Sequence, residues 1–194
     1  MAIKPMNIMF NSKGQINIII GCMFSGKSTE MIRIINRYKN IKDAGLLIIN
    51  HTIDNRYGNN VVSSHNKIQI ACKSISSLSI LKESEDYKKA KVIFIEEAQF
   101  FKDLYEFCLE AADIDKKILY VVGLDGDFRR NCFGDICRLI PHAENVTKLK
   151  ALCARCADGT EATFTKRIVS NEDIQLVGNK DSYIPVCRMH YLEK

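Results

Sequence analysis

The stretch that decides the fold is INIIIGCMFSGKSTE, residues Ile16–Glu30. In it, an apolar and mostly β-branched run meets the segment GCMFSGKS, which matches the phosphate-loop pattern G-x-x-x-x-G-K-[ST]. Gly21 and Gly26 can adopt backbone angles that are closed to other residues, so successive N–H groups can point at a chain of phosphates. Lys27 adds positive charge for the terminal phosphates, and the Ser28 hydroxyl is suited to bind Mg²⁺.

The residues on both sides of the loop support this interpretation. Apolar residues recur at helical spacing directly after the loop, at Met31, Ile34, Ile35 and Tyr38, so the order is strand, loop, helix. That order places a helix N-terminus, with its N–H groups and positive dipole end, against the phosphates. The sequence therefore predicts a protein that binds a nucleoside triphosphate. ATPases, GTPases, motor proteins and small-molecule kinases share this loop, so other residues must indicate the reaction.

Length and composition exclude several classes of protein. The 194 residues, with 26% charged and 46% apolar side chains, are typical of one medium-sized soluble domain with a real core. The net charge is +5, but lysines and arginines are scattered among acids and form no basic stripe. The sequence has no apolar stretch long enough to span a membrane and no signal-peptide h-region. We therefore expect a cytoplasmic protein that binds neither membranes nor nucleic acid.

Strand and helix patterns alternate up to about residue 150, which predicts an α/β fold. Leu46–Asn50, Val92–Ile95 and Ile118–Leu124 are apolar runs that suit strands of a parallel sheet flanked by helices, as in P-loop NTPases. The last two runs are followed at once by acidic residues. Because ligands bind at the carboxyl ends of the strands in such sheets, we expect the phosphate loop and these acids to converge on one site.

Two carboxylates, Glu96 and Glu97, follow the strand predicted at Val92–Ile95. Successive side chains of a strand point to opposite faces, so we expect the two acids to have different functions. One is suited to hold Mg²⁺, and the other to accept a proton from an attacking hydroxyl. The apolar residues that precede the pair count against two merely solvated charges. Asp125 and Asp127, after the next strand, fit ligand contact and turn capping equally well.

The composition changes after residue 150, where two pairs of potential metal ligands occur. Cys153 and Cys156 have the spacing C-x-x-C, and Cys187 and His190 have the same spacing further along. Four soft ligands in this arrangement suit tetrahedral Zn²⁺ with no open position, which is a structural site. The remaining cysteines have no paired spacing, and we expect them to be free thiols in a reducing compartment.

We divide the chain into a nucleotide-binding domain, residues 1–150, and a zinc-binding lobe, residues 151–194. The lobe is too small to fold on its own apolar core, so the metal is expected to hold it together. Three aromatic residues, Phe128, Phe133 and Tyr183, lie in polar or glycine-containing segments. Their composition context supports core packing and ligand stacking equally.

Two classes of function fit a phosphate loop joined to a zinc lobe. One is a small-molecule kinase, and the other is a zinc-ribbon ATPase that binds nucleic acid. The second class needs a basic or aromatic strand surface, and the sequence has no basic stripe. The polar loop after the second strand contains Asp54 and Arg56, which fit phosphate contact or only an ion pair with each other.

These motifs together resemble the type II, zinc-containing thymidine kinases. The matching stretches are, in order, GCMFSGKSTEMI, DNRYG, VIFIEEAQFF, GLDGDFRRNCFG, LCARC, TFTKR and VCRMHY. They cover nearly the whole chain, and their combination is highly specific. The resemblance implies transfer of the γ-phosphate of ATP to the 5′-hydroxyl of thymidine, with deoxyuridine also accepted, to give dTMP in nucleotide salvage for DNA synthesis.

The resemblance also implies roles for individual residues. Glu97 is implied to be the general base that deprotonates the thymidine 5′-hydroxyl, and Ser28 and Glu96 are implied to hold Mg²⁺. Residues implied to bind ATP and its phosphates are Gly21, Met23, Phe24, Ser25, Gly26, Lys27, Ser28, Asp54, Arg56, Glu96 and Gln99. Residues implied to surround the thymine base are Met23, Phe101, Leu124, Phe128, Phe133, Thr165 and Tyr183.

In the family, a lasso-like loop from the zinc lobe covers the nucleoside, and it corresponds here to about Asn171–Tyr183. The family further implies a homotetramer and feedback inhibition by dTTP. Three residues depart from the family pattern: Cys22 replaces a usual Pro, Glu96 a usual Asp, and His190 a common fourth Cys. We expect a slightly less rigid phosphate loop, a longer acid of the same charge, and an equally good zinc ligand set.

Overall fold

The structure is a computed structural model and describes residues 13–54, 60–63, 68–170 and 181–193. The strands are β1 (Gln15–Gly21), β2 (Leu46–His51), β3 (Val61–Ser63), β4 (Gln69–Ala71), β5 (Lys73–Ile75), β6 (Val92–Ile95), β7 (Ile118–Gly123), β8 (Asn145–Leu149), β9 (Ala151–Leu152), β10 (Glu161–Ala162), β11 (Phe164–Arg167) and β12 (Tyr183–Val186). The α-helices are α1 (Lys27–Tyr38), α2 (Glu85–Lys89), α3 (Leu104–Leu109) and α4 (Arg188–Leu192). A π-helical turn (Glu110–Ile114) extends α3, and 3₁₀ turns occupy Ser79–Leu81, Ala98–Phe100 and Ile136–His142.

A six-stranded sheet in the order β5-β2-β6-β7-β1-β8 forms the centre of the described structure, and its strands are parallel. The middle strands β6, β7 and β1 are almost entirely buried because helices cover both faces of the sheet. This confirms the predicted α/β fold. The carboxyl ends of these three neighbouring strands lead into the phosphate loop, the Glu96–Glu97 pair and Leu124, so all three segments meet at one edge.

The period-two alternation of strand side chains divides the apolar core into one layer on each face of the sheet. In β6, Ile93 and Ile95 pack with residues of α3 on one face. On the other face, Val92 and Phe94 pack with Met31 and other residues of α1. Because each strand is fixed from both sides, the functional residues at its carboxyl end have a rigid support.

The C-terminal lobe consists of two short antiparallel pairs, β9 with β10 and β11 with β12, followed by α4. Its buried core includes Cys22 of the phosphate loop, which is 3% exposed. The Cys22 Sγ donates a hydrogen bond to the Ala162 carbonyl oxygen (3.4 Å), and burial raises the pKa of this thiol. The residue that replaces the family's usual Pro therefore behaves as a small apolar residue that joins the phosphate loop to the lobe.

Two further short elements can be predicted from local composition: a weakly helical segment at Ile75–Leu81 and a strand at Ile174–Gly178. The structure differs at the first, because Ile75–Leu81 contains the end of β5 and only a 3₁₀ turn. Asp103 explains the irregular path, since its Oδ2 accepts hydrogen bonds from Ser77 Oγ (2.6 Å) and Ser79 N (2.9 Å). The second segment lies outside the described residues. None of the helices in the described ranges combines the length and apolar character needed to cross a bilayer.

Candidate active site

The geometry of the phosphate loop explains both of its glycines. A Cβ on Gly21 would lie 2.3 Å from the Leu149 carbonyl oxygen, so the neighbouring strand excludes any side chain there. Gly26 has ample space but adopts a left-handed conformation (φ 86°) as the N-cap of α1, which favours glycine on conformational grounds. Ser25 Oγ is buried and has no hydrogen-bond partner among the described residues, as expected of a group that faces a ligand.

The phosphate loop meets the first acid of the pair directly. Lys27 Nζ donates a hydrogen bond to the Cys22 carbonyl oxygen (2.8 Å), and Ser28 Oγ donates one to Glu96 Oε1. Burial lowers the pKa of Lys27, an effect that the carboxylates of Glu97 and Glu96 oppose. The α/β half of the site thus brings one ammonium, one hydroxyl and two carboxyl groups together.

Glu96 has the surroundings of a cation ligand. It is 5% exposed, and its Oε2 has no hydrogen-bond partner in the part of the chain that the structure describes. Burial and the neighbouring Glu97 raise the pKa of Glu96 to about 8. A buried carboxylate oxygen without a partner, beside the Ser28 hydroxyl, is a hard oxygen donor set of the kind that Mg²⁺ prefers. The residues present therefore fit the ion that the sequence predicts.

Glu97 differs from its neighbour in both backbone and contacts. It is half-buried and adopts a left-handed conformation (φ 52°), which is rare for a residue with a side chain and clusters at functional sites. Glu97 Oε2 accepts a hydrogen bond from Gln99 Nε2 (2.6 Å). Gln99 Oε1 in turn accepts one from the Leu124 amide (3.0 Å). Both ends of the Gln99 amide are therefore engaged within the protein, which differs from the phosphate contact that the resemblance implies.

The structure separates the two phenylalanines of the sequence EEAQFF. Phe101, expected at the thymine base, is 1% exposed and packs its ring against His51 in the main core, with centroids 4.7 Å apart. Phe100 is half-buried and packs edge-to-face on Phe133, with centroids 5.3 Å apart. The base-contact role predicted for Phe101 therefore conflicts with its burial, and Phe100 has the accessible ring. Phe101 begins an apolar stripe that continues through Leu104 and Cys108 of α3, and this pattern could have indicated its place in the core.

The C-terminal lobe brings further predicted residues to the same edge. The Met23 amide donates a hydrogen bond to Thr165 Oγ1 (3.0 Å), which joins the phosphate loop to β11. The Arg167 guanidinium lies 3.8 Å from the ring centroid of Phe128 and 5.1 Å from that of Tyr183. Arg167 ends the stretch TFTKR, but its contacts could not be predicted because an arginine in a short, half-exposed strand leaves no pattern in the sequence.

The remaining predicted residues have different outcomes. Asp127 Oδ1 accepts hydrogen bonds from the amides of Arg129 and Asn131 (both 2.8 Å), so the turn-capping alternative is the one that the structure supports. Asp125 forms an ion pair with Lys148 (2.6 Å). Arg56 and residues 171–180 of the expected lasso lie outside the described residues.

The four predicted metal ligands form one cluster. His190 Nδ1 lies 3.5, 3.3 and 3.4 Å from the sulfurs of Cys153, Cys156 and Cys187, and the last two sulfurs are 3.8 Å apart. Zn–S bonds of about 2.3 Å and Zn–N bonds of about 2.0 Å at tetrahedral angles give S–S edges of about 3.8 Å and S–N edges of about 3.5 Å. Although burial opposes ionisation, backbone amide donors, among them that of Arg155, lower the pKa of the Cys153 thiol to about 6. The cluster fits a structural zinc ion.

Fold and site together define a phosphate-loop α/β protein with an acid pair beside its nucleotide loop and a Cys₃His cluster in a C-terminal lobe. Comparison with known proteins narrows this class. The family model described as "Thymidine kinase" matches residues 14–191. The chain is 43% identical over 183 residues to a thymidine kinase of Oryza sativa subsp. japonica, covering 93% of this chain and 67% of the relative.

Two further relatives come from a virus and an animal. A thymidine kinase of Myxoma virus (strain Uriarra) is 43% identical, with 92% of this chain and 96% of the relative covered. A cytosolic thymidine kinase of Gallus gallus is 38% identical, with 94% and 79% covered. The chain belongs to the thymidine kinase family, and it is therefore a kinase, as the sequence predicts.

Proposed function

We propose that this protein transfers the γ-phosphate of ATP to the 5′-hydroxyl of thymidine, giving dTMP for nucleotide salvage, and that it also accepts deoxyuridine. The observation that carries the proposal is the meeting of the phosphate loop with the acid pair, in which Ser28 Oγ donates to Glu96 and Glu97 stands next in the chain. Family membership supports the choice of thymidine and ATP as substrates.

The loop residues bind the donor. Phosphoryl transfer passes through a loose transition state, so the site has to align donor and acceptor and to stabilise charge on the equatorial oxygens. Backbone amides between Gly21 and Ser28, and the Lys27 ammonium, hold the β- and γ-phosphates. Ser28 and Glu96 would hold Mg²⁺, which when bound neutralises phosphate charge. Glu96, whose pKa burial and the neighbouring Glu97 raise, would be held in its ionised form by a cation bound there.

Glu97 receives the proton. It follows the carboxyl end of β6, and its carboxylate is close enough to Lys27 to act on the pKa of that ammonium. A carboxylate in hydrogen-bond reach of the 5′-hydroxyl takes the proton as the oxygen attacks the γ-phosphorus, and the donor's ADP leaves from the opposite side. Glu97 thus acts as general base, while Glu96 acts on the metal.

The nucleoside lies between the two halves of the site. Phe100 and Phe133 from the α/β half, Phe128 after β7, and Thr165 and Tyr183 from the lobe surround the base. Met23 and Leu124 complete this set. A lasso formed by about residues 171–183 closes over the base and excludes water, which would otherwise hydrolyse ATP.

The Cys₃His cluster holds a structural Zn²⁺ that keeps the lobe in place. We extend the proposal to the cellular and regulatory context of the family: a cytoplasmic homotetramer that dTTP inhibits as a feedback inhibitor. These assignments depend on family membership and are tested separately from the chemistry.

The experiment that tests the function is a substrate panel with radiolabelled ATP. Thymidine, deoxyuridine, deoxycytidine and guanosine are offered as acceptors, and single-stranded DNA is offered as an activator of ATP hydrolysis. We expect a labelled monophosphate with thymidine and deoxyuridine, and no stimulation by DNA. Hydrolysis that DNA stimulates, without phosphorylation of any nucleoside, would instead indicate the nucleic-acid-binding ATPase. Lys27→Ala is the control. It removes the positive charge that binds the phosphates of ATP, so it should abolish either activity.

A further inference from the structure

We infer that Gln99 is a positioning residue, which orients the general base Glu97 and couples it to the loop that lines the nucleoside. The inference rests on the proposed function, since it requires Glu97 to be the base. It assigns to Gln99 a role that differs from binding the phosphates of ATP.

The hydrogen bonds of Gln99 run in a fixed direction. Its amide nitrogen donates to Glu97 Oε2 at 2.6 Å, and its amide oxygen accepts from the Leu124 backbone N–H at 3.0 Å. A carboxylate cannot donate to the nitrogen and a backbone N–H cannot accept from it, so these two partners determine which way the amide points. Gln99 is 3% exposed. Because an unpaired polar group is costly in a low-dielectric environment, burial strongly favours keeping both hydrogen bonds.

Two glycines leave space for this side chain and its backbone. A Cβ on Gly123 would lie 2.3 Å from Gln99 Oε1, and a Cβ on Gly134 would lie 2.2 Å from the Gln99 carbonyl oxygen. Gly123 ends β7, and Gly134 follows Phe133 in the nucleoside-lining loop. Two positions around Gln99 therefore exclude a side chain, which indicates that the position of Gln99 is closely specified.

The backbone of the base depends on the same contact. Glu97 has a left-handed conformation, and the 3₁₀ turn that follows is closed by a hydrogen bond from the Phe100 amide to the Glu97 carbonyl oxygen (3.1 Å). Such a conformation is unfavourable for a residue with a side chain and persists only where surrounding contacts enforce it. Gln99 lies within that turn, and its side chain donates a hydrogen bond to the Glu97 carboxylate. Gln99 therefore fixes the Glu97 carboxylate relative to the strained backbone of Glu97.

This arrangement has two consequences for proton transfer. The hydrogen bond to Oε2 restricts the orientation of the Glu97 carboxyl group, because one of its two oxygens is held by Gln99. Through the Leu124 amide, the same glutamine holds the carboxylate in register with the segment that lines the nucleoside pocket.

The test compares Gln99→Glu with Gln99→Met by the kcat and by the KM values for thymidine and ATP. Gln99→Glu keeps the shape and the acceptor for the Leu124 amide but replaces the donor to Glu97 with a second carboxylate, whereas Gln99→Met loses both hydrogen bonds. With Gln99→Glu we expect kcat to fall about tenfold, because the carboxylate of Glu97 is no longer held in place, while the KM for thymidine changes less than about twofold. The KM for ATP also changes less than about twofold. Gln69→Glu, on the exposed face of β4, is the matched control and leaves these values unchanged.

A double-mutant cycle with Glu97→Gln separates this inference from the proposed function. If Gln99 acts through Glu97, adding Gln99→Glu to Glu97→Gln causes no further loss of kcat, because effects on one functional unit are not additive. An unchanged kcat in Gln99→Glu, or a loss that multiplies with that of Glu97→Gln, would overturn the inference while Glu97→Gln keeps its own low turnover. Wild-type turnover of Glu97→Gln itself would instead overturn the proposed base. Where Gln99→Glu fails to fold by circular dichroism, Gln99→Met supplies the same readouts.

Discussion

The two halves of the active site are stabilised in different ways. The α/β half places its acids and its phosphate loop at the ends of strands that are buried on both faces by two extensive apolar layers. The lobe half has only a small buried core: Cys22, Ala151, Cys153, Ala162 and Val186. A core of that size does not hold a lobe together alone, so the Cys₃His cluster has to supply the difference. The comparison predicts that the chemistry depends on the first half, whereas nucleoside binding depends on both halves and is the step that loss of the metal ligands impairs.

The largest effect is expected from removing the base. Glu97→Ala should lower kcat by a hundredfold or more, because general base catalysis contributes about 10²–10⁴-fold. The free energy of unfolding should change little, since the substitution removes a half-buried charge from a left-handed position. Steady-state kinetics, together with fluorescence binding of an ATP analogue, checks both expectations. Binding of the analogue at normal affinity shows that the phosphate loop is intact, and near-normal turnover would contradict the assignment of Glu97.

The next largest effect is expected from the metal ligands. Cys187→Ser should abolish stoichiometric zinc, lower the melting temperature and raise the KM for thymidine at least tenfold, because the lobe loses its main support. ATP-analogue binding to the α/β half should persist. Metal content by atomic emission, calorimetry and kinetics measure these three quantities. Cys132→Ser, at an exposed cysteine outside the cluster, is the matched control. A Cys187→Ser protein that keeps its zinc and its melting point would contradict the zinc assignment.

A third prediction compares two adjacent phenylalanines of the α/β half, one in the core and one in the nucleoside site. Phe101→Ala should destabilise the protein by about 3–5 kcal/mol, the usual cost of emptying a buried phenylalanine site. Phe100→Ala should cost far less stability and raise the KM for thymidine about tenfold, since the lost contact is to the base. Chemical denaturation and kinetics on the folded protein measure both. The reverse pattern would restore the original assignment of Phe101 to the base.

These two phenylalanines also show how far the sequence reaches. The phosphate loop, the parallel sheet and the Cys₃His set could be predicted because each leaves a fixed spacing in the chain. The spacing of EEAQFF does not tell which ring faces inward, because a left-handed residue and a 3₁₀ turn redirect the chain after β6. The edge strand β8 was equally unreadable, because its residues are mostly polar and almost wholly exposed. Arg167 becomes visible only once β11 and β12 are paired.

The smallest expected effect concerns the pH dependence of stability, and it tests whether the α/β half is strained in the absence of its cation. Burial raises the pKa of Glu96 to about 8 from an ordinary value of 4.5, so the folded protein binds more protons than the unfolded chain between these values. The contribution of Glu96 to stability is therefore fully present below about pH 4.5 and is lost as the pH rises through 8.

Glu96→Gln removes this dependence. In metal-free protein we expect the variant to match the wild type near pH 4.5 and to exceed it by about 2 kcal/mol near pH 8.5, a discounted conversion of the shift. Urea denaturation at a series of pH values, in the presence of a chelator, measures the difference. Excess Mg²⁺ with an ATP analogue should reduce the gap, because the bound cation stabilises the ionised carboxylate of the wild type alone. If the free energies of unfolding of the two proteins change in parallel with pH, the α/β half holds Glu96 without strain. The α/β half would then differ from the metal-dependent lobe even more than we propose.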